Sequence, residues 1–284
     1  MQNTVAARVR LIALAISSLA SISAIANENI ESTNTKEETT RSECFLSDLS
    51  GSLTFGYDSN LYDKNDYRSE RNLSWDMSLN YKIDDKYKLY FATSAYRALE
   101  DKTGDFWNDS IIGLSHDSIY SFGETGQIGL GGQLTLPTSE ASQDDDLITA
   151  VRISVPVSIE LWGADLSLSP RLRKNFHRYK TAGGRSLTEW IYSLYLAADY
   201  SWEKLATGIS FLGANTVSYQ GTRRNTFDYG ASAYISYQFT NVISGELGAS
   251  SSGFYTDAER GTLGDLDLFD ADKAVFNASV SFTF

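Results

Sequence analysis

The final twelve residues, Lys-Ala-Val-Phe-Asn-Ala-Ser-Val-Ser-Phe-Thr-Phe (273–284), alternate between apolar and polar side chains. Every even position is apolar, and every odd position except Val275 is polar. Successive side chains of a β-strand point to opposite faces, so this stretch predicts a strand with one apolar and one polar face. A transmembrane barrel strand needs this pattern, because one face meets lipid and the other meets a polar lumen.

This strand resembles the last strand of bacterial outer-membrane β-barrel proteins, which commonly ends in Phe with aromatic or apolar residues two and four places earlier. Phe284, Phe282 and Val280 match that pattern. The resemblance implies an all-β fold, a transmembrane antiparallel up-and-down barrel. It also implies contact with outer-membrane lipid and lipopolysaccharide, and recognition by the barrel-assembly machinery through the strand ending at Phe284.

The N-terminal segment predicts export across the inner membrane. Arg8 and Arg10 precede an apolar stretch that ends in Ala24-Ile25-Ala26, the small-residue pattern typical of signal-peptide cleavage. We therefore expect three segments: a signal peptide (1–26), a flexible periplasmic segment (27–49) and an outer-membrane barrel (50–284).

Charge and cysteine usage exclude several kinds of site. Without residues 1–26 the chain has 22 basic and 36 acidic residues, a net charge of −14, which argues against nucleic acid as a partner. Cys44 is the single cysteine, and His116 and His177 are the only histidines, so no internal disulfide, metal site or cofactor is predicted. The apolar residues after Cys44 leave open that the segment 27–49 docks into the barrel as a plug.

Alternation of period two predicts about twelve strands in the mature chain. They are expected near 50–58, 72–82, 86–97, 108–120, 125–136, 147–160, 163–175, 188–200, 204–214, 225–239, 241–252 and 273–284. Short links near 84–85, 162–163, 201–202 and 240 alternate with long polar links at 59–71, 98–107, 137–146, 176–187, 215–224 and 253–272. An even strand number places both barrel termini, and all the short turns, on the periplasmic side.

Two strands alternate cleanly enough to assign faces. In 147–160 we expect Leu147 to face lipid and Arg152 to face the lumen, and in 225–239 the odd residues are expected to face outward. Pro156 lacks a backbone donor and is expected at a bulge or a weak pairing. Aromatic residues collect at both predicted rims, an arrangement that a soluble β-sandwich, the alternative fold, does not need.

Charged side chains are predicted to line the lumen. A turn around Leu161-Trp162 places Arg152 opposite Arg171, with Arg173 one inward position further out and Glu189 as its expected partner. The other predicted lumen charges are Asp76, Asp228 and Glu246. Opposed basic and acidic walls order water and select charged or dipolar solutes in a narrow pore. The alternative is that these charges pair with one another and fill the barrel.

No catalytic site is predicted. His116-Asp117-Ser118 has the His-to-Ser spacing of the outer-membrane phospholipase family, but it falls at the periplasmic end of its strand and lacks the flanking pattern. His177 is expected to be a solvated loop residue. Four aspartates, at 265, 267, 270 and 272, could gather Ca²⁺ or bridge lipopolysaccharide, but generally acidic loops are the favoured explanation.

One hairpin favours a transport function. Residues 131–139, with the step Leu136-Pro137-Thr138, resemble a strand-to-loop signature of small transporter-like outer-membrane barrels. We therefore predict an outer-membrane channel for passive diffusion of small hydrophilic solutes, anionic ones among them, past Arg152, Arg171 and Arg173. The competing prediction is a non-conducting surface barrel whose loops bind a ligand or partner.

Overall fold

A single antiparallel sheet that closes on itself dominates the computed structural model, which describes residues 48–100, 103–224, 226–256 and 274–284. In chain order the strands are β1 (Leu49–Asn60), β2 (Arg71–Lys82), β3 (Tyr87–Ala98), β4 (Gly104–Trp107), β5 (Ser110–Phe122), β6 (Gly126–Leu136), β7 (Leu147–Ser154), β8 (Val157–Leu161), β9 (Ala164–His177), β10 (Thr181–Ala182), β11 (Arg185–Ser186), β12 (Thr188–Trp202), β13 (Leu205–Ser218), β14 (Thr226–Gln238), β15 (Ile243–Thr256) and β16 (Val275–Thr283). Strands β7 and β8 together fill one position in the wall, β4 extends beside β3, and β10 and β11 form a separate hairpin. The wall therefore has twelve positions, as the alternation predicts.

The first and last strands close the barrel. Strand β1 pairs antiparallel with β16, and the backbones of Gly51 and Phe284 exchange two hydrogen bonds of 3.0 and 3.1 Å. At the opposite side β9 pairs with β12, so the sheet has no free edge. A barrel without an edge satisfies its backbone polar groups internally, which is the requirement for a strand-built protein in lipid.

The short and long connections lie at opposite ends of the barrel, as predicted. One of the short turns consists of Trp162 and Gly163, whose φ angles of 55° and 78° fit a two-residue hairpin with both central residues in the left-handed region. Longer segments at the other end include β4, the β10–β11 hairpin and a short helix, α1 (Glu140–Asp144), capped by the Ser139 hydroxyl. No helix within the described ranges is long and apolar enough to cross a membrane.

The polarity of the barrel is inverted relative to a soluble domain. Its buried side chains are largely polar, as Ser52 and Thr54 on β1 illustrate, whereas Phe55, which follows Thr54, is 51% exposed. Along β16 the apolar even residues are the more exposed ones, which confirms the predicted faces of the C-terminal strand. Such an outer surface needs a lipid environment, and the polar interior needs water or polar solutes.

Aromatic side chains are exposed at both ends of the wall. Trp162 and Trp202 are exposed beside the short turns. At the long-loop end the rings of Trp75 and Trp107 meet edge to face with centroids 5.4 Å apart. These two groups confirm the predicted aromatic girdles, which lie at the two membrane interfaces of such barrels.

The wall is interrupted at Pro156, between β7 and β8. The prolyl carbonyl accepts a hydrogen bond from the Gly129 backbone amide at 2.7 Å, and the adjacent Val155 amide donates to Pro170 at 3.1 Å. Strand β6 therefore pairs with β7 on one side of the break and with β8 on the other. This confirms that Pro156 lies where its missing donor is tolerated.

The predicted orientation of Leu147 is wrong. Leu147 is buried against the central cavity, and the adjacent Ile148 is exposed instead. A register irregularity between Leu147 and Thr149 shifts the strand by one residue, and side-chain alternation inverts across such a bulge. Alternation alone does not reveal a bulge at the first residue of a strand.

Candidate functional site

A polar cavity of about 1660 Å³ extends along the barrel interior. Its lining includes Glu203 and Asn241 at the short-turn end and Asp144 and Arg185 at the long-loop end. The cavity therefore reaches both ends of the wall. A lumen that two aqueous compartments can enter is the minimum requirement for a diffusion channel.

Three arginines line one wall of this cavity. Arg152 on β7 lies directly opposite Arg173 on β9, and Arg171 lies opposite Ser154. The expected pairing of Arg152 with Arg171 is wrong, because the hairpin turns at Trp162-Gly163 rather than one residue earlier. When the turn moves by one residue, every cross-strand partner changes by two residues. A shift of two residues leaves each side chain on the same face of the wall, so all three arginines still face inward.

The three guanidinium groups bind neutral partners. Arg152 donates to the side-chain oxygen of Gln133, which also accepts from the Tyr90 hydroxyl at 3.3 Å. Arg173 donates to Asn175 at 2.8 Å. Within the described ranges none of the three arginines forms an ion pair. Asp109, which also lines the cavity, interacts electrostatically with Arg173 without forming an ion pair, so the wall orients the three positive charges and offsets only that of Arg173 in part.

Arg171 has a different environment from the other two. Its guanidinium carbon lies 4.4 Å from the ring centroid of Tyr195 on β12, in a cation–π arrangement. Its Nε also lies 3.5 Å from the Ser169 hydroxyl, at the limit of a hydrogen bond. Stacking on the neutral ring holds the guanidinium in place and does not neutralise its charge. Its N–H groups therefore stay available to a solute.

Carboxylates lie on other parts of the lumen wall. Asp76 on β2, Asp228 on β14 and Glu246 on β15 all line the central cavity, where the sequence places them. Asp58 on β1 and Asp199 on β12 are buried or half-buried acids that the sequence analysis does not single out. Asp199 accepts a hydrogen bond of 2.6 Å from the Tyr234 hydroxyl.

The prediction that Glu189 pairs with Arg173 in the lumen is wrong. Glu189 is not among the residues that line the cavity, and its carboxylate lies 3.4 Å from the Lys174 ammonium. Lys174 faces outward, with its ammonium 4.6 Å from the Trp190 ring. A register shift between Thr188 and Trp190 marks a bulge that turns Glu189 to the outer side of the wall.

The outer loops fold against the cavity and are held in place by charged groups. Asp109 accepts hydrogen bonds from the Ser139 backbone amide and from the hydroxyls of Ser139 and Ser142, at 3.0, 2.7 and 2.6 Å. Arg185 on β11 pairs with Asp145 at 2.7 Å, which joins two different loops. The sequence carries no local signal for these contacts, because they join residues that are 30 to 40 positions apart.

Acids on the outer rim have partners of their own. Arg68 donates two hydrogen bonds to Asp66, at 3.0 and 2.6 Å, and holds its pKa at about 2. The pKa of Glu100 is lowered by the Ser69 hydroxyl and by Arg71. The rim charges are thus locally neutralised, in contrast to those of the three lumen arginines.

Other sequence features have structural explanations or lie outside the described residues. The His116 ring meets the Tyr87 ring edge to face, with centroids 4.8 Å apart, and Asp117 pairs with Lys88 at 2.5 Å. In the described parts of the chain, no group of three or more His, Cys, Asp and Glu residues is arranged to hold a metal ion. The signal-peptide and plug predictions, Cys44 and the aspartates at 265–272 lie outside the described residues.

The barrel is similar to solved outer-membrane channels. It matches an outer-membrane channel from Pseudomonas putida F1 with a TM-score of 0.56 and 14% identity, over 83% of this chain and 95% of that one. It matches the NanC porin with a TM-score of 0.54 and 10% identity, over 82% of this chain and 98% of that one. No family model and no curated protein matches the sequence. The chain therefore has the fold of these outer-membrane channels, a closed antiparallel barrel, and its own wall has twelve strand positions.

Proposed function

We propose that this barrel is a passive diffusion channel for small hydrophilic solutes and that it favours anions. One observation carries the proposal: Arg152, Arg171 and Arg173 line a cavity that reaches both ends of the barrel, and their hydrogen-bond partners are neutral. Three fixed cations on one wall attract anions from either compartment. Asp76, Asp228 and Glu246 belong to the same proposed pore lining.

Electrostatics supports this direction of selectivity. Two unit charges 4 Å apart interact by about 4 kcal/mol at the effective dielectric of about 20 that suits partly buried groups. An anion beside Arg152 and Arg173 gains that attraction without having to displace a wall carboxylate. The positive groups are also spread over more than one level of the pore, so an anion can pass between several weak sites rather than remain in one strong site.

The experiment is single-channel recording of the protein in a planar bilayer, with the reversal potential measured under a salt gradient. We expect steady conductance and a reversal potential that indicates anion preference. A folded barrel that conducts no current would support the competing function, a surface barrel that acts through its loops. A conducting barrel with cation preference would contradict the role of the arginine wall.

We also propose that residues 1–26 direct export and are removed, and that the strand ending at Phe284 is what the assembly machinery recognises. The alternation of residues 273–284 and the paired backbones of Gly51 and Phe284 support the second part. N-terminal sequencing of protein from outer membranes should give a start near Asn27. Deletion of Phe284 should lower the amount of folded barrel in the membrane.

A further inference from the structure

A small recess opens beside the central cavity, and three carboxylates lie in its wall. Asp58, Asp76 and Glu246 line this space of about 40 Å³. Asp76 and Glu246 also line the central cavity, so the recess faces the lumen. One water molecule occupies roughly 30 Å³ in the liquid, so the recess admits a group of about the size of an ammonium ion.

The chemistry of the recess suits a hydrogen-bond donor with positive charge. No ion pair involves Asp58, Asp76 or Glu246 in the chain as described. Ser74 and Asn277 also line the recess, and their side chains hydrogen-bond to Asp58 and Glu246 respectively. A carboxylate has about four acceptor sites, so each can accept further hydrogen bonds. An alkylammonium group has three donors and no acceptor, and it matches a pocket rich in acceptors and negative charge.

The recess and the arginine wall lie on opposite sides of the barrel. The three carboxylates belong to β1, β2 and β15, whereas the arginines belong to β7 and β9. Three strands, β3, β5 and β6, separate them in one direction, and β12, β13 and β14 separate them in the other. The two charged regions therefore face each other across the lumen.

The width of the lumen sets the size of a solute that can meet both regions. Twelve strands about 4.8 Å apart and tilted by about 40° give a diameter of roughly 24 Å between backbones. Inward side chains on both walls reduce the free gap to about 10 Å. A molecule the size of a dipeptide, with charges at its two ends, spans that gap.

We propose that the lumen selects small zwitterionic solutes, with a carboxylate at the arginine wall and an ammonium group at the Asp58, Asp76 and Glu246 recess. This inference rests on the proposed channel function and names its substrate class. A purely anionic solute of the same size meets attraction on one side only, and repulsion from the recess on the other. The zwitterion therefore passes faster than its anionic analogue.

The test compares uptake of matched solutes into proteoliposomes that contain the protein. Glycylglycine is the zwitterion, and N-glycoloylglycine, in which a hydroxyl replaces the ammonium group, is the anion. Wild-type protein should take up glycylglycine about five-fold faster than the anion. A ratio of that size corresponds to the attraction of about one partly exposed ion pair. The double variant Asp76→Asn with Glu246→Gln should lose most of this preference and keep anion uptake.

The control is Glu124→Gln, which removes an exposed carboxylate from the link between β5 and β6 that lines neither the recess nor the central cavity. It should keep the preference for glycylglycine. Equal uptake of the two solutes by the wild type, or an unchanged preference in the double variant, would overturn the zwitterion inference while leaving the channel function intact. Absence of all uptake by folded wild-type protein would overturn both. Heat-dependent mobility on gels verifies that each variant is folded.

Discussion

Arg152 and Arg173 lie directly opposite each other on neighbouring strands of the barrel wall, and each hydrogen-bonds to a neutral amide side chain rather than to a carboxylate. Two adjacent like charges are unfavourable for folding unless something else compensates them. Under the proposed channel function, mobile anions in an aqueous lumen supply that compensation.

The first prediction concerns this pair. The double variant Arg152→Gln with Arg173→Gln should lower the anion-to-cation permeability ratio about ten-fold, which corresponds to about 1.4 kcal/mol. Reversal potentials under a salt gradient measure the ratio. Arg178→Gln is the matched control, because Arg178 is exposed in an outer loop, where salt screens it from the pore over about 8 Å. An equal change in the control would show that the effect is not specific to the lumen.

Much of this site can be predicted from the sequence. Period-two alternation distinguishes inward from outward side chains, so it predicts an inward orientation for Asp76, Arg152 and Glu246, and all three line the central cavity. Alternation fails at bulges, and both Glu189 and Leu147 lie at one. Neither bulge contains a glycine or a proline, so the local sequence does not predict where the bulges lie.

Contacts between distant strands are not predictable in the same way. Gln133, which accepts hydrogen bonds from both Arg152 and Tyr90, is an ordinary polar residue of an alternating strand. Its importance depends on which residues the register places beside it. Register is predictable only approximately, because the exact position of a hairpin turn decides it. The turn lies at Trp162-Gly163, one residue later than the Leu161-Trp162 turn on which the predicted pairing of Arg152 with Arg171 rests.

The second prediction concerns the outer mouth. Arg185 and Asp145 join two loops with an ion pair of 2.7 Å, and both residues line the central cavity. Asp145→Asn or Arg185→Gln should loosen the loops and raise single-channel conductance or its fluctuations. The two changes combined should have little more effect than either alone, because they break the same interaction. Additive effects would show that the pair does not act as one unit.

The third prediction concerns the attachment of residues 137–146. The Asp109 carboxylate accepts three hydrogen bonds from Ser139 and Ser142. Asp109→Ala should leave those donors without their partner, at a cost of about 1 to 3 kcal/mol for the local structure. Limited proteolysis of intact membranes should then cut this segment faster. Asp144→Ala, at an exposed position in the same segment, should leave the cleavage rate unchanged.

The fourth prediction concerns Gly208 on β13, which lies directly between Asp199 and Tyr234 on the neighbouring strands. The hydrogen bond between these two side chains passes over the glycine, and a β-carbon there would lie 2.3 Å from the Asp199 carboxylate and 2.5 Å from the Tyr234 ring. Gly208→Ala should therefore separate the pair and lower the free energy of unfolding by about 1 to 3 kcal/mol. Urea unfolding in lipid vesicles, followed by tryptophan fluorescence, measures the change.

Gly132→Ala is the matched control for this substitution. Gly132 is also a strand glycine, but a β-carbon there would meet no atom within 4 Å. It should change the free energy of unfolding by less than about 0.5 kcal/mol, because it adds a methyl group in open space. If both variants were equally destabilised, the loss would reflect the general effect of replacing a glycine in this sheet. A loss confined to Gly208→Ala would assign the stabilising role to the Asp199–Tyr234 hydrogen bond and the close packing beneath it.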